Sequence, residues 1–331
     1  MEENTNPESD AFEKRVDLSR FKASLERVNE QIGSYIVGQG KAVELLQVAL
    51  IADGHVLIEG VPGIAKTQLA KLMARALDLD FSRVQFTLDL MPSDILGTSV
   101  YNQKQGEFEF KSGPVFSNVV LVDEINRAPA KTQAALFEVM EERQVTIDGH
   151  QHKMDEPYLI LATQNPIEQE GTYRLPEAQL DRFLFKISMD YPSLDEEFEI
   201  LKLHQSLQSK PEDMIQKALS KEDIQELRAT AKQIHIEEDI LRYIAAIVDA
   251  TRNQGSLYLG ASPRASLALL NSARALAAIQ DRDFVSPDDI RFLAAPVLAH
   301  RVILSPEREM EGLSSVEVLD QIVRSIKVPG S

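Results

Sequence analysis

Gly60-Val61-Pro62-Gly63-Ile64-Ala65-Lys66-Thr67 is the stretch around which the rest of this chain is arranged. It follows His55-Val56-Leu57-Ile58, an apolar run of the length and type of a buried strand. It precedes residues 68–77, where Leu69, Leu72, Met73 and Ala76 recur at helical spacing. Strand, glycine-containing turn and a helix opening on Lys-Thr is the context of a phosphate-binding P-loop. Backbone N–H groups at such a turn surround an anion, and the helix dipole favours negative charge there. Lys66 would reach the β- and γ-phosphates, and the Thr67 hydroxyl would help hold Mg²⁺. The strict pattern GxxxxGK(S/T) asks for glycine where Ala65 stands, so the stretch taken alone also reads as a Gly-Pro turn before an ordinary amphipathic helix.

Partners elsewhere decide between these. Val119-Val120-Leu121-Val122-Asp123-Glu124 is an apolar run ending in two acids. It reads as a buried parallel strand, whose C-terminal end is where α/β domains place ligands. Asp123 is placed to hold the Mg²⁺ of a nucleotide, and Glu124 to polarise an attacking water. Tyr158-Leu159-Ile160-Leu161-Ala162-Thr163 reads as a further buried strand ending at Gln164-Asn165-Pro166. An amide there lies beside the same crevice, either orienting a water or satisfying turn backbone.

The 331 residues allow two domains. A hydrophobic content of 44% and a charged content of 26% are ordinary for a globular chain. No apolar run approaches the ~18 residues of a membrane span. Met1-Glu2-Glu3-Asn4 lacks the basic and apolar regions of a signal peptide, so a cytoplasmic location is expected. Absence of cysteine excludes disulfides, zinc-thiolate sites and cysteine catalysis. A formal net charge of −17 argues against a general nucleic-acid surface, which needs Lys and Arg to neutralise phosphates.

Residues 1–14 are polar and acidic and read as a disordered tail. An α/β nucleotide-binding domain is expected over residues 15–190 and a smaller all-helical domain over residues 191–331. Phe21, Leu25, Val28 and Ile32 predict a first helix; Val43, Leu46 and Leu50 predict an amphipathic second. Residues 84–88 alternate like a strand, and residues 101–114 resemble an inserted hairpin around Phe108 and Phe110. Asp148-Gly149 signals another hairpin turn. On it, His150 and His152 alternate onto one face without a third ligand, so they predict solvated side chains, not a metal site. Beyond Tyr191-Pro192, Ile240, Ile244, Ile247 and Val248 form one stripe, and Leu267, Leu269, Leu270, Ala273 and Leu276 line a second helix. Ser286-Pro287-Asp288-Asp289 reads as an N-cap with acids in the first turn. Ser262-Pro263-Arg264 begins a helix in the same way, except that its first-turn arginine opposes the dipole unless it faces an anion.

Together these stretches resemble the AAA+ ATPases and, within them, the MoxR family. The residues that carry the likeness are 60–67, Val122-Asp123-Glu124-Ile125-Asn126-Arg127-Ala128, Ala162-Thr163-Gln164-Asn165-Pro166 and Leu175-Pro176-Glu177-Ala178-Gln179-Leu180-Asp181-Arg182-Phe183. The resemblance spans residues 30–325, and alanine before the P-loop lysine is acceptable in this family. It implies a parallel-sheet AAA+ core with a helix-2 insert, followed by a helical lid. Residues 60–67, with Gln68 behind them, correspond to Walker A, Asp123 and Glu124 to Walker B, and Asn165 to sensor 1. Arg182 looks like the arginine finger that acts on a neighbouring subunit's nucleotide, with Arg174 as the competing candidate. Arg264 resembles sensor 2, acting in cis or in trans. Ile36-Val37-Gly38 matches the segment that contacts adenine.

The implied cofactors are ATP and Mg²⁺, and the implied assembly is a homo-oligomer, a hexameric ring. The resemblance further implies a chaperone-like remodeller of client proteins, including clients that carry von Willebrand factor A domains or assemble metals and cofactors. Two other readings stand beside it: a DNA-associated motor or chelatase-type subunit, and a nucleotide-gated scaffold without turnover. Mixed charges on the hairpin, Arg143, His150, His152 and Lys153 among Asp148, Asp155 and Glu156, weigh against nucleic acid. Glu124 weighs against the scaffold.

Overall fold

The computed structural model describes residues 17–165, 173, 175–206 and 210–329. The tail expected over residues 1–14 and the candidate Arg174 lie outside these described residues. Helix α1 (Ser19–Gly33) buries Phe21, Leu25, Val28 and Ile32, the face that their spacing predicts. Helix α2 (Gly40–Ile51) is not amphipathic: every residue from 42 to 51 except Glu44 is buried. It is enclosed by α1 on one side and by later helices on the other.

Strand β1 (Val56–Gly60) enters the phosphate-binding turn and helix α3 (Lys66–Ala76) leaves it. Strand β2 is Phe81–Gln85, earlier than residues 84–88. Its last register pair is Gln85 with Asp123, whose carbonyl also accepts from Phe86 N–H at 2.9 Å; Thr87 Oγ1 then turns onto Asp89 Oδ1 at 2.7 Å, leaving Leu88 exposed. Short helix α4 (Pro92–Leu96) precedes the inserted hairpin β3 (Gly97–Asn102) and β4 (Glu107–Ser112). Strand β5 (Val119–Asp123) and helix α5 (Ala130–Glu142) follow. A second hairpin joins β6 (Gln144–Ile147) to β7 (His150–Lys153) through Asp148 (φ 51°) and Gly149 (φ 79°), both in the left-handed region. Strand β8 (Leu159–Gln164), one-turn α6 (Glu177–Leu180) and β9 (Phe185–Met189) complete this part.

The main sheet runs β2-β5-β8-β1-β9 with every pair parallel. Its central strands β5, β8 and β1 are buried on both faces, as strands inside parallel sheets are, whereas edge strand β2 exposes Arg83 and Gln85. Val56, Ile58, Leu121 and Leu161 face one core, shared with α1 to α3 and the C-terminal helices. Leu57, Val120, Val122 and Ile160 face the other, closed by α5. That alternation is the two-residue period of a strand.

After β9 come α7 (Leu194–Ser206), α8 (Pro211–Met214), α9 (Lys221–Ala231) and α10 (Glu238–Asn253). Then β10 (Leu257–Leu259), α11 (Pro263–Ile279), α12 (Pro287–Leu298), β11 (Ile303–Leu304), α13 (Pro306–Met310) and α14 (Ser315–Ser325) follow. The stripe from Ile240 to Val248 is buried. Leu267 departs from its expected role: at 60% exposure it falls off the buried face set by Ala265, Leu269, Ala273 and Leu276. Ser286 forms the expected capping box with Asp289, whereas Ser262 makes no side-chain cap for its helix.

Candidate active site

Register brings the site together. Ile58 pairs with Thr163, Val122 with Ala162 and Gln85 with Asp123, so the C-terminal ends of four neighbouring strands meet at one edge of the sheet. The phosphate-binding turn, Asp123, Glu124 and Asn165 all issue from that edge.

The turn suits an anion. A side chain at Gly60 would meet Met189 O at 2.6 Å, so the backbone there passes too close for any Cβ. Gly63 (φ 88°) and Ala65 (φ 64°, ψ 22°) are left-handed. The glycine that the strict pattern requires is therefore a conformational need, and Ala65 meets it at a cost of about 1 kcal/mol. Helix α3 begins with no side-chain cap and no acid in its first turn, leaving its N–H groups for a ligand. Lys66 Nζ donates to Gly60 O at 2.7 Å. Burial lowers its pKa, against the pull of Asp123 and Glu124. A half-buried ammonium beside uncapped helix N–H groups fits phosphate oxygens. Thr67 follows in the first helical turn, partly buried, and Gln68 Nε2 is buried without a hydrogen-bond partner among the described residues.

Asp123 is 7% exposed. Its Oδ2 accepts from Arg83 Nε at 2.6 Å and its Oδ1 from Thr163 Oγ1 at 3.2 Å. The carboxylate and the Thr67 hydroxyl are hard oxygen donors of the kind Mg²⁺ takes, with phosphates and waters completing its shell. Glu124 is itself left-handed (φ 58°, ψ 52°), an uncommon conformation for a residue with a side chain. Its N–H donates to Thr163 Oγ1 at 2.9 Å, while its Oε2 accepts from Arg127 Nη1 and Gln85 Nε2, each at 2.8 Å. Asn165 is buried at the end of β8. Arg83, Gln85, Arg127 and Thr163 contact the two carboxyl groups, and sequence reasoning gave none of them a role at the site. Arg83 and Gln85 carry one available signal, two polar residues at strand spacing leading to the site.

Beside the turn lies a cleft of about 510 Å³, lined by Gly38, Lys41, Glu59, Tyr191, Pro296 and Ser315 among others. Gly38 (φ 78°) faces it and abuts the Glu196 carboxylate. Ile36 instead is buried in the core, and Val37 is half-buried between them.

The two remaining arginines are not at this edge. Arg182 stands three residues before β9, whose first residue pairs with Val56 at the start of β1. Its Nη1 donates to Phe137 O at 2.6 Å, and its Nη2 pairs with Glu141 at 2.8 Å. Arg264 Nη2 reaches the other oxygen of Glu141 at 3.2 Å. The anion that its first-turn position demanded is this carboxylate. Lys66 contacts Gly60 at the far end of β1, so the strand alone separates the two groups by about 13 Å. Arg264 does not line the cleft next to its own P-loop.

The second hairpin differs from expectation in one respect. His152 is only partly exposed and stacks on Phe110 of the first hairpin, ring centroids 4.1 Å apart. Arg143 at its base is engaged with Tyr158 O at 2.8 Å and Asp53 at 3.2 Å, not presented as a basic patch.

Comparison with known proteins bears on this arrangement. Residues 55–185 match the ATPase family associated with various cellular activities (AAA), and residues 249–322 match the AAA lid domain. YeaC of Bacillus subtilis, a protein of uncharacterised function, is 46% identical over 300 residues, covering 91% of this chain and 93% of that one. Chaperone MoxR1 of Mycobacterium tuberculosis is 43% identical over 315 residues, 92% of this chain and 82% of that one. Protein MoxR of Paracoccus denitrificans is 31% identical over 340 residues, 95% and 99% of the two chains. A crystal structure from Cytophaga hutchinsonii, described as a candidate ATPase, superposes with a TM-score of 0.87 at 42% identity, covering 94% of this chain and 96% of that one.

Proposed function

Because the chain belongs to the MoxR family of AAA+ ATPases, we propose that it is a chaperone-like ATPase whose active sites form between adjacent copies in a hexameric cytoplasmic ring. Its work would be remodelling of partner proteins, with von Willebrand factor A domains among the candidate clients. The observation that carries this reading is the separation of Lys66 from Arg182 and Arg264 at opposite edges of the sheet. A chain so built does not complete its own site.

In this reading the turn of residues 60–67, with Gln68 behind it, holds the phosphates and Gly38 borders the base and sugar. Lys66 offsets charge gathering on the transferring phosphoryl group. Glu124 accepts the proton of the attacking water and Asn165 orients that water. Thr67 and Asp123 would hold Mg²⁺, which supplies further charge neutralisation when bound. Arg182 and Arg264 of the adjacent copy enter from outside, and an arginine of this kind is worth about 10³–10⁵ in turnover.

ATPase activity against protein concentration, with Arg182→Ala alongside, tests the reading. Specific activity should rise as copies assemble and collapse in the variant while ATP binding survives. Concentration-independent activity untouched by Arg182→Ala would sink it.

A further inference from the structure

Asp181 immediately precedes Arg182, and both its carboxylate oxygens are taken by residues far along the chain. Oδ1 accepts from Arg301 Nε at 2.7 Å; Oδ2 accepts from the Ser262 hydroxyl at 3.0 Å. Arg301 is only 9% exposed. It also donates to the carbonyls of Asp181 (3.2 Å), Phe183 (2.7 Å) and Leu184 (3.1 Å), and to that of Val297 in the last turn of α12, just before it in the chain. His300 Nε2 adds a bond to Phe183 O at 2.9 Å. The backbone on both sides of Arg182 is thus gripped from the end of α12.

Ser262 supplies an independent sign. Ser220, Ser286 and Ser314 each open a helix of this region, and each hydroxyl accepts from the N–H three residues on. Ser262 occupies the same position but, like Ser305 before α13, does not cap its helix; what sets Ser262 apart is its hydroxyl's bond to Asp181. The stabilisation that a serine cap gives is forgone here. The hydroxyl goes to Asp181 instead. Two residues later, Arg264 reaches the Glu141 carboxylate that Arg182 also reaches.

We propose that Asp181 is a positioning residue that binds the Arg182 loop and the start of α11 into one unit, so that Arg182 and Arg264 are presented to a neighbouring copy's nucleotide as a fixed pair. Arg301 and Ser262 are its anchors. The proposal rests on the reading of Arg182 as acting across the subunit boundary. Both arginine side chains are long and partly exposed, and charge stabilisation of a transition state needs its donors held in place beforehand. Fixing the backbone under one and the helix start under the other supplies that. A turn of the C-terminal helices against the sheet then moves both guanidiniums together.

The test uses full-length Ser262→Ala and Asp181→Asn chains, alone and mixed with Glu124→Gln chains, with Arg182→Ala as the control. Each variant should lose about fivefold to tenfold in kcat with KM within about twofold, in keeping with misplaced catalytic groups. Adding Ser262→Ala to Arg182→Ala should lower kcat no further. Mixing either variant with Glu124→Gln should restore turnover, because those chains carry intact arginines and the variants carry intact P-loops. Full kcat in Ser262→Ala and Asp181→Asn, when the Arg182→Ala mixture does regain activity, overturns the positioning role and leaves the shared-site reading standing. No recovery in the Arg182→Ala mixture removes the shared-site reading and the proposal with it. Asp181→Asn leaves Arg301 less well compensated and can unfold the chain, which a melting curve reveals. Ser262→Ala, a small change at a half-buried helix start, then carries the test.

Discussion

Arg83 Nε lies 2.6 Å from Asp123 Oδ2, so a cation from the neighbouring strand already occupies the carboxylate assigned here to Mg²⁺. The metal must compete with it. Arg83 is half exposed, so solvent and salt weaken the competition. Arg83→Ala should lower the Mg²⁺ concentration needed for half-maximal turnover by about twofold to tenfold, the range that a screened charge pair allows. A magnesium titration of phosphate release checks this, and an unchanged midpoint counts against the competition.

Glu124 shares its Oε2 between Arg127 and Gln85. Glu124→Gln keeps the shape and removes the base. Nucleotide binding should persist while turnover falls at least ~10²-fold, the usual contribution of a positioned base. Fluorescent nucleotide binding and steady-state phosphate release, measured together, separate the two effects.

Ala65 sits in the left-handed region that glycine adopts freely. Replacing it with glycine relieves that conformation but loosens the unfolded chain, leaving a net gain of about 0.5 kcal/mol. Ala65→Val, β-branched at positive φ, should instead lower stability by more than ~1 kcal/mol. Calorimetric melting of both variants, without nucleotide, gives the two signs.

His55 and His300 are buried, and burial is the main cause holding both pKa values well below 6.5, with Arg143 lowering His55 further and Arg301 lowering His300. His55 is neutral and used at both nitrogens: Nδ1 accepts from Ile160 N–H at 3.0 Å and Nε2 faces Met140 O at 3.2 Å. The unfolded chain binds protons that the folded one refuses, so stability is complete above pH ~6.5 and falls as the medium becomes more acid. Each histidine contributes a slope of about 1.4 kcal/mol per pH unit below that point. Urea unfolding between pH 7.5 and ~5.5 should show the decline, shallower by one histidine's share in His55→Gln.

Phe110 and His152 stack between the two hairpins. Phe110→Ala should leave basal turnover within about twofold, because neither residue touches the active-site edge, yet speed amide exchange in β6 and β7. Exchange measured by mass spectrometry, with ATPase activity alongside, decides.

The parts legible in the sequence were those set by short range. The P-loop strand and helix, the apolar strands ending at Asp123 and Asn165, and the four-residue stripe of α1 all follow from local periodicity. What local reading missed came from tertiary contact. Nothing in the spacing of α2 says that it is enclosed on every side. Residues 84–88 alternate well, but β5 ends at Asp123, whose carbonyl takes the Phe86 N–H as the last bond of the ladder. Leu267 is as apolar as its neighbours and is exposed only because the buried face passes beside it. The Ser262 signal was correct for a helix start and silent on where the hydroxyl would go. The contact between Arg301 and Asp181 joins residues 120 apart, beyond any local pattern.

The parallel sheet gives each chain a direction, with the phosphate-binding turn at one edge and the Glu141 arginines at the other. A contact that brings one copy's first edge to another copy's second edge is head-to-tail, not two-fold. Two copies joined this way always leave one unmatched edge of each kind, so pairing never saturates at a dimer. Growth stops only when the rotation between neighbours divides a full circle; otherwise it continues as a helical filament.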